Sequence, residues 1–167
     1  DAALYYLARM IYAGEDPKFI ARRIVICASE DVGNADPQAL QVAVSAFLAV
    51  ERIGMPESQI ILANACTYVA TAPKSNAAVV GIDEALNYIK VHGTDNVPPY
   101  LKDAHYQAAA KLGRGIDYKY AHDYPNNYVK QQYLPDEIKD EVFYHPTDIG
   151  YEKQAGERLR RLRTREE

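Results

Sequence analysis

Prolines at 17, 37, 56 and 73 divide the first ninety residues into segments of similar length, and the first two prolines each follow an aspartate, Asp16 and Asp36. An Asp-Pro pair is a helix start. The carboxylate accepts hydrogen bonds from backbone N–H groups that no helical carbonyl can reach, and proline at the first helical position has no N–H to leave unpaired. Gly33 and Gly54 stand where the two helices begun this way would stop. The punctuation predicts helices of about four turns over "EDPKFIARRIVICASEDVG", "ADPQALQVAVSAFLAVERIG", "PESQIILANACTYVATA" and "PKSNAAVVGIDEALNYIKV". Short connections between helices make antiparallel hairpins, and nothing in this stretch alternates apolar and polar residues as a half-buried strand would. The expected fold class is all-α, an antiparallel helical bundle.

The faces of these helices carry more than the fold class. In "ALQVAVSAFLAVERI" the clearly polar side chains are Gln41, Ser45, Glu51 and Arg52. "IILANACTYVATA" is similar, broken by Asn64 and two threonines. A helix apolar all round is buried all round. Two of them, both rich in alanine, are either the central hairpin of a monomeric bundle or are covered in part by another copy of the chain.

With 167 residues the chain is long enough for one domain with a proper core. No apolar run approaches the roughly 20 residues that span a membrane, so solubility and no membrane partner are expected. The chain starts at Asp1 and runs at once into the helical pattern "AALYYLARMIY", as a piece of a longer protein would. Cys27 and Cys66 each sit in an apolar helical run, which suits reduced packing residues inside a cell better than a disulfide. Net charge is −4, against nucleic-acid binding by the whole surface. The charge is uneven, however: "GERLRRLRTREE" at the end holds five arginines.

Three regions are expected within the single domain: helical hairpins over 1–92, one helix and an aromatic strap over 93–146, and a terminal helix over 147–167. The middle region is rich in Pro, Gly, Asn and Tyr, with a helix expected over "PPYLKDAHYQAAAKLG" and little regular structure after it until Thr147. A long irregular segment with a tyrosine every few residues is expected to be ordered, because that much aromatic area is poorly left in water.

Chemistry-bearing motifs are few. A phosphate loop needs glycines spaced so that backbone N–H groups wrap the phosphate, and neither "GRG" nor "APKSN" provides this. Nucleophile elbow, HExxH and EF-hand patterns are absent too. His122-Asp123 is the one metal candidate, since all-helical phosphohydrolases use an adjacent His-Asp pair with a further histidine and aspartate. His92 or His105 and Asp148 stand in those slots, but Pro125 follows the pair at once and the four histidines are scattered. No metal site is expected; a histidine hydrogen-bonded in a tyrosine-lined turn is the simpler reading.

Arg22, Arg23, Glu30 and Asp31 share one segment, and Arg23 and Glu30 lie two turns apart on one helical face. A structural ion-pair network is expected there, because carboxylates near a helix C-terminus want a cationic partner. In the terminal segment, Glu157 precedes Arg161 by four residues, as in a solvated helix with internal pairs. Arg158, Arg160, Arg161, Arg163 and Arg165 are otherwise candidates for phosphate contacts. The strap "YKYAHDYPNNYVKQQYLP" has two readings as well. Tyr118, Tyr120, Tyr124, Tyr128 and Tyr133, with His122 and Asp123, pack as a strap or subunit interface. Alternatively the rings stack on bases while Lys119 and Lys130 meet phosphate.

Three blocks, "DAALYYLARMIYAGEDPKFIARRIVICASEDVGNADPQAL", "TAPKSNAA" and "YKYAHDYPNNYVKQQYLP", resemble the C-terminal domain of the replication-associated recombination protein A family. These are AAA+ ATPases related to clamp loaders, including the Werner-helicase-interacting ATPase of eukaryotes. The resemblance implies an all-helical domain that assembles the protein as a tetramer, for work on DNA and with replication proteins at damaged forks, in a cytoplasmic, nucleoid-associated setting. It implies further that ATP and Mg belong to an ATPase core ahead of Asp1, so that no cofactor and no catalytic residue fall in this stretch. The function expected is oligomerisation. A DNA-binding module using the strap and the arginine tail is the alternative, and a metal phosphohydrolase a more distant one.

Overall fold

A computed structural model describes residues 1–102 and 117–164. Among these residues are six α-helices: α1 Ala2–Tyr12, α2 Pro17–Cys27, α3 Gln38–Ile53, α4 Ser58–Thr71, α5 Ala77–His92 and α6 Gly150–Thr164. Among the described residues there is no strand, and the fold is all-α. Most of the helix expected after Pro98 lies outside the described residues; at its start the chain makes only a 3-10 turn, Pro99–Leu101.

The chain divides into two compact units. The first is Asp1–Asp83 with Tyr144–Arg160, the second Glu84–Phe143 with Arg161–Glu167.

In the first unit the proline punctuation works as local chemistry requires. Asp16 Oδ1 accepts from Lys18 N at 3.0 Å, and Asp36 Oδ1 from Gln38 N at 3.0 Å. The second carboxylate is used twice, because its Oδ2 also accepts from the Tyr68 hydroxyl at 2.9 Å. One capping group thereby fixes α4 to the start of α3. Helix α3 packs on both α2 and α4, and α1 on α4. Leu7, Ile20, Ala21, Val50 and Leu62 form one buried cluster, and Ala28, Val32, Ala39, Ala43 and Val69 a second. Alanine at 39 and 43 of α3 lets neighbouring backbones approach closely, so the second cluster is tight rather than bulky.

Two details depart from the sequence reading. The segment expected as one helix up to Gly33 is α-helical only to Cys27, and then widens into a π turn over Ala28–Val32. Helix α5 begins at Ala77, not directly after Pro73. The intervening loop is held from afar: Ser75 N donates to the Asp31 carbonyl at 2.9 Å. Gly33, at φ +50°, could not carry a side chain there, since a Cβ would fall 2.7 Å from the Ser75 carbonyl oxygen.

The second unit has 3-10 turns at Ala121–Asp123, Pro125–Asn127 and Asp136–Ile138. Asn126 and Asn127 take left-handed backbone conformations, φ 59° and 52°, which asparagine tolerates better than most residues. Tyr100 donates its hydroxyl to the Gln132 carbonyl at 2.7 Å, and Tyr133 to the Val129 carbonyl at 2.8 Å, while Val129 is buried.

Candidate assembly surface

Helix α3 has two apolar faces, and only one is covered. Ala39, Ala43, Ala46 and Val50 are buried. Leu40, Val44 and Leu48, spaced four apart on one stripe, are 40%, 38% and 47% exposed. The expectation that this helix is enclosed on all sides is therefore not met within one chain. The stripe is also uncharged, for no Asp, Glu, Lys or Arg occurs between Pro37 and Val50. On α4 the buried face is Ser58, Leu62, Ala65 and Val69, while Ile60 is 61% exposed.

Tyr118, Tyr120, Tyr124 and Tyr133 are exposed and Tyr128 is half-buried, so the strap shows most of its rings to solvent. The Tyr120 ring leans on His122 at 5.0 Å between centroids. His122 and Asp123 sit in an exposed turn, with Lys119 and Lys130 exposed nearby in sequence. His92 lies instead against Tyr88, centroids 4.4 Å apart. His105 and Arg165 lie outside the described residues, and among the described residues no three His, Cys, Asp or Glu side chains gather as metal ligands. In α6, Arg158, Arg160, Arg161 and Arg163 are exposed, and Arg160 pairs with Asp148 at 3.8 Å.

The ion-pair network expected of Arg22, Arg23, Glu30 and Asp31 is not formed: among the described residues neither arginine has a carboxylate within ion-pair distance. The π turn is the reason. It adds residues to the turn and swings Glu30 off the α-helical face that Arg23 occupies. Arg22 lies over the Phe19 ring at 5.2 Å instead.

The most demanding polar group of the first unit was not singled out from the sequence. Glu152, fully buried in the first turn of α6, receives hydrogen bonds from four donors. Ser75 Oγ and Thr147 Oγ1 donate to Oε2, the latter at 2.6 Å, and Thr147 N donates to it at 3.1 Å. Tyr144 donates its hydroxyl to Oε1 at 2.7 Å, and itself accepts from Asn34 Nδ2 at 3.2 Å. Burial pushes the Glu152 carboxyl up, but the donors outweigh it and hold the group below its ordinary range. Gly150 seats the helix start, at φ +56° with a Cβ position only 2.1 Å from the Ala35 carbonyl oxygen. The one local signal is an acid in the first turn of a helix, where the dipole favours it.

Both cysteines are free and half-buried, and both line a cavity of about 420 Å³ together with Met10, Ile24 and Val69. Burial, then the hydrogen bond and charge of Asp31, push the Cys27 thiol up to about 11. Burial likewise raises Cys66. Such thiols are packing groups rather than nucleophiles.

A family described as MgsA AAA+ ATPase C terminal matches residues 1–163. Over 163 residues the chain is 55% identical to an AAA domain-containing protein of Mycobacterium tuberculosis, covering 98% of this chain and 36% of that protein. It is 51% identical over 150 residues to replication-associated recombination protein A of Bacillus subtilis, covering 90% and 35%. With the protein of the same name from Haemophilus influenzae it shares 46% over 164 residues, covering 98% and 37%. The chain thus spans a little over a third of the length of these relatives.

Proposed function

This chain belongs to the MgsA AAA+ ATPase C-terminal family, and on that premise we propose that it is a self-assembly domain of a replication and recombination ATPase, without catalysis of its own. The observation that carries the reading is the Leu40–Val44–Leu48 stripe on α3. Apolar side chains repeated every four residues on an uncharged face resemble a core cut in half, as the interfaces of lasting homo-oligomers do. An uncharged face also offers a charged partner nothing to complement, whereas a second copy needs no such match. Relatives named replication-associated recombination protein A support a setting in replication and recombination, and the assembly proposed is a tetramer. Nucleotide chemistry belongs to the larger part of such proteins. Light scattering on this chain tests the reading: four chains of 18.7 kDa give about 75 kDa, and a monomer at every concentration would refute it.

A second reading rests on a separate observation, the exposure of Tyr118, Tyr120 and Tyr124 beside Lys119. Exposed rings next to a cation suit stacking on single-stranded bases, at about 1–3 kcal/mol per base. Fluorescence anisotropy of a labelled single strand at two salt concentrations tests it, and no binding at low salt removes it.

A further inference from the structure

Helix α1 buries one of its eleven residues, Leu7. Tyr5 and Tyr6 are exposed, and Tyr12 is 96% exposed. Both flanks of the helix are concave. On one side Tyr5, Ala8, Arg9, Tyr12 and Ala13 line a hollow of about 400 Å³. On the other, Ala3, Tyr6 and Met10 border the cysteine-lined cavity, which Arg23 of α2 also lines. The Arg9 guanidinium stands 5.9 Å from the Tyr5 ring centroid and 5.8 Å from that of Tyr6. Among the described residues neither Arg9 nor Arg23 has a carboxylate within ion-pair distance. Tyrosines and an arginine around a floor of alanines have the composition of an interface hot spot, with a cavity on each side for apolar anchors.

What covers this face follows from the length of the family's proteins. Nearly two thirds of each relative lies outside the matched stretch, and the family description places that stretch at the C terminus. In a protein so built, the preceding part enters this fold through α1. A tethered domain beside the face has an effective concentration in the millimolar range, enough to make a modest contact persistent. We propose that the tyrosine–arginine face of α1 is the seat of the ATPase part of the full-length polypeptide, which brings apolar side chains to the two hollows and carboxylates to Arg9 and Arg23. This rests on the family assignment and not on self-assembly. A two-fold copy is the poorer occupant, because the hollow it would present in return, lined by Tyr5, Ala8, Arg9, Tyr12 and Ala13, holds no carboxylate for Arg9. Nucleic acid is poorer too, since Asp1, Glu15 and Asp16 flank the helix and Arg9 is its one cation.

The test is thiol labelling in the full-length protein, read by peptide mass mapping. Tyr12→Cys is compared with Lys153→Cys, an exposed position on α6, each alone and combined with Leu48→Glu to separate copies. Tyr12 makes so little contact that the change leaves packing intact, and a circular dichroism spectrum checks this. Labelling at 12 is expected to be slower than at 153 by roughly tenfold, a factor corresponding to about 1.4 kcal/mol of protection. That protection should survive Leu48→Glu and be lost with Arg9→Glu. Equal rates at 12 and 153 would overturn the proposal. So would protection that vanishes with Leu48→Glu, since a second copy would then be the cover.

Discussion

Ser75 donates its hydroxyl to the buried carboxylate of Glu152, 77 residues further along the chain. The same hydroxyl oxygen accepts from Ala77 N at 3.3 Å, at the start of α5. One serine thus begins a helix and binds the last helix of the fold to the loop before it.

Replacing Glu152 with glutamine should cost about 1–3 kcal/mol of stability, because a carboxamide turns an NH2 group towards donors that need an acceptor. The pH dependence follows from the lowered carboxyl. A carboxyl held lower in the folded than in the unfolded state stabilises fully above its unfolded value, near the ordinary 4.5. That contribution fades as pH falls through the folded value. Urea melts at neutral pH and between pH 5 and pH 3 check both points: the native chain should lose stability on acidification more steeply than Glu152→Gln. Parallel curves would remove Glu152 from the explanation.

Leu62 and Ile60 are two residues apart on α4, yet the first is wholly buried and the second is 61% exposed. Leu62→Ala is expected to lower stability by about 2–5 kcal/mol, from lost burial plus the cavity left behind. Ile60→Ala should stay within about 0.5 kcal/mol. Chemical denaturation of the two variants reads the difference directly.

How much of this was legible in the sequence depends on how far apart the interacting residues are. Asp16 and Asp36 cap helices two residues away, and such local chemistry is written in the order of the residues. The start of α5 was not, because Ser75 answers to Asp31 and Glu152, which no local pattern connects to it. The Arg23–Glu30 pairing failed because it assumed an unbroken 3.6-residue period, where the chain inserts a π turn. On α3 the period was legible but not which apolar face has a neighbour: Ala43 and Val44 look equally fit for a core. The strap's tyrosines were visible, but hydroxyl contacts such as that of Tyr133 with the Val129 carbonyl were not.

Gly14 and Gly150 both have positive φ, but a Cβ at Gly14 meets nothing within 4 Å while one at Gly150 would strike the Ala35 carbonyl. Gly14→Ala should therefore cost only the left-handed backbone penalty, about 1–2 kcal/mol. Gly150→Ala should cost clearly more, and thermal melts of the pair separate strain from collision.

The thiol of Cys27, raised to about 11 from an ordinary 9.0, should carry roughly a hundredfold less thiolate at pH 8 than an unperturbed cysteine, and alkylate correspondingly slowly. A pH–rate profile for iodoacetamide with peptide mapping measures this. Ready alkylation of the folded chain at pH 8 would contradict the packing assigned to it.

In the proposed assembly, copies of this chain meet through the outer stripe of α3. Light scattering on the native chain and on Leu48→Glu tests it most directly, with circular dichroism to confirm that both are folded. The expected result is an oligomer near 75 kDa, four chains of 18.7 kDa, which falls towards the monomer mass in Leu48→Glu while helix content holds. A native chain that is monomeric throughout, or a variant whose mass does not change, would contradict it.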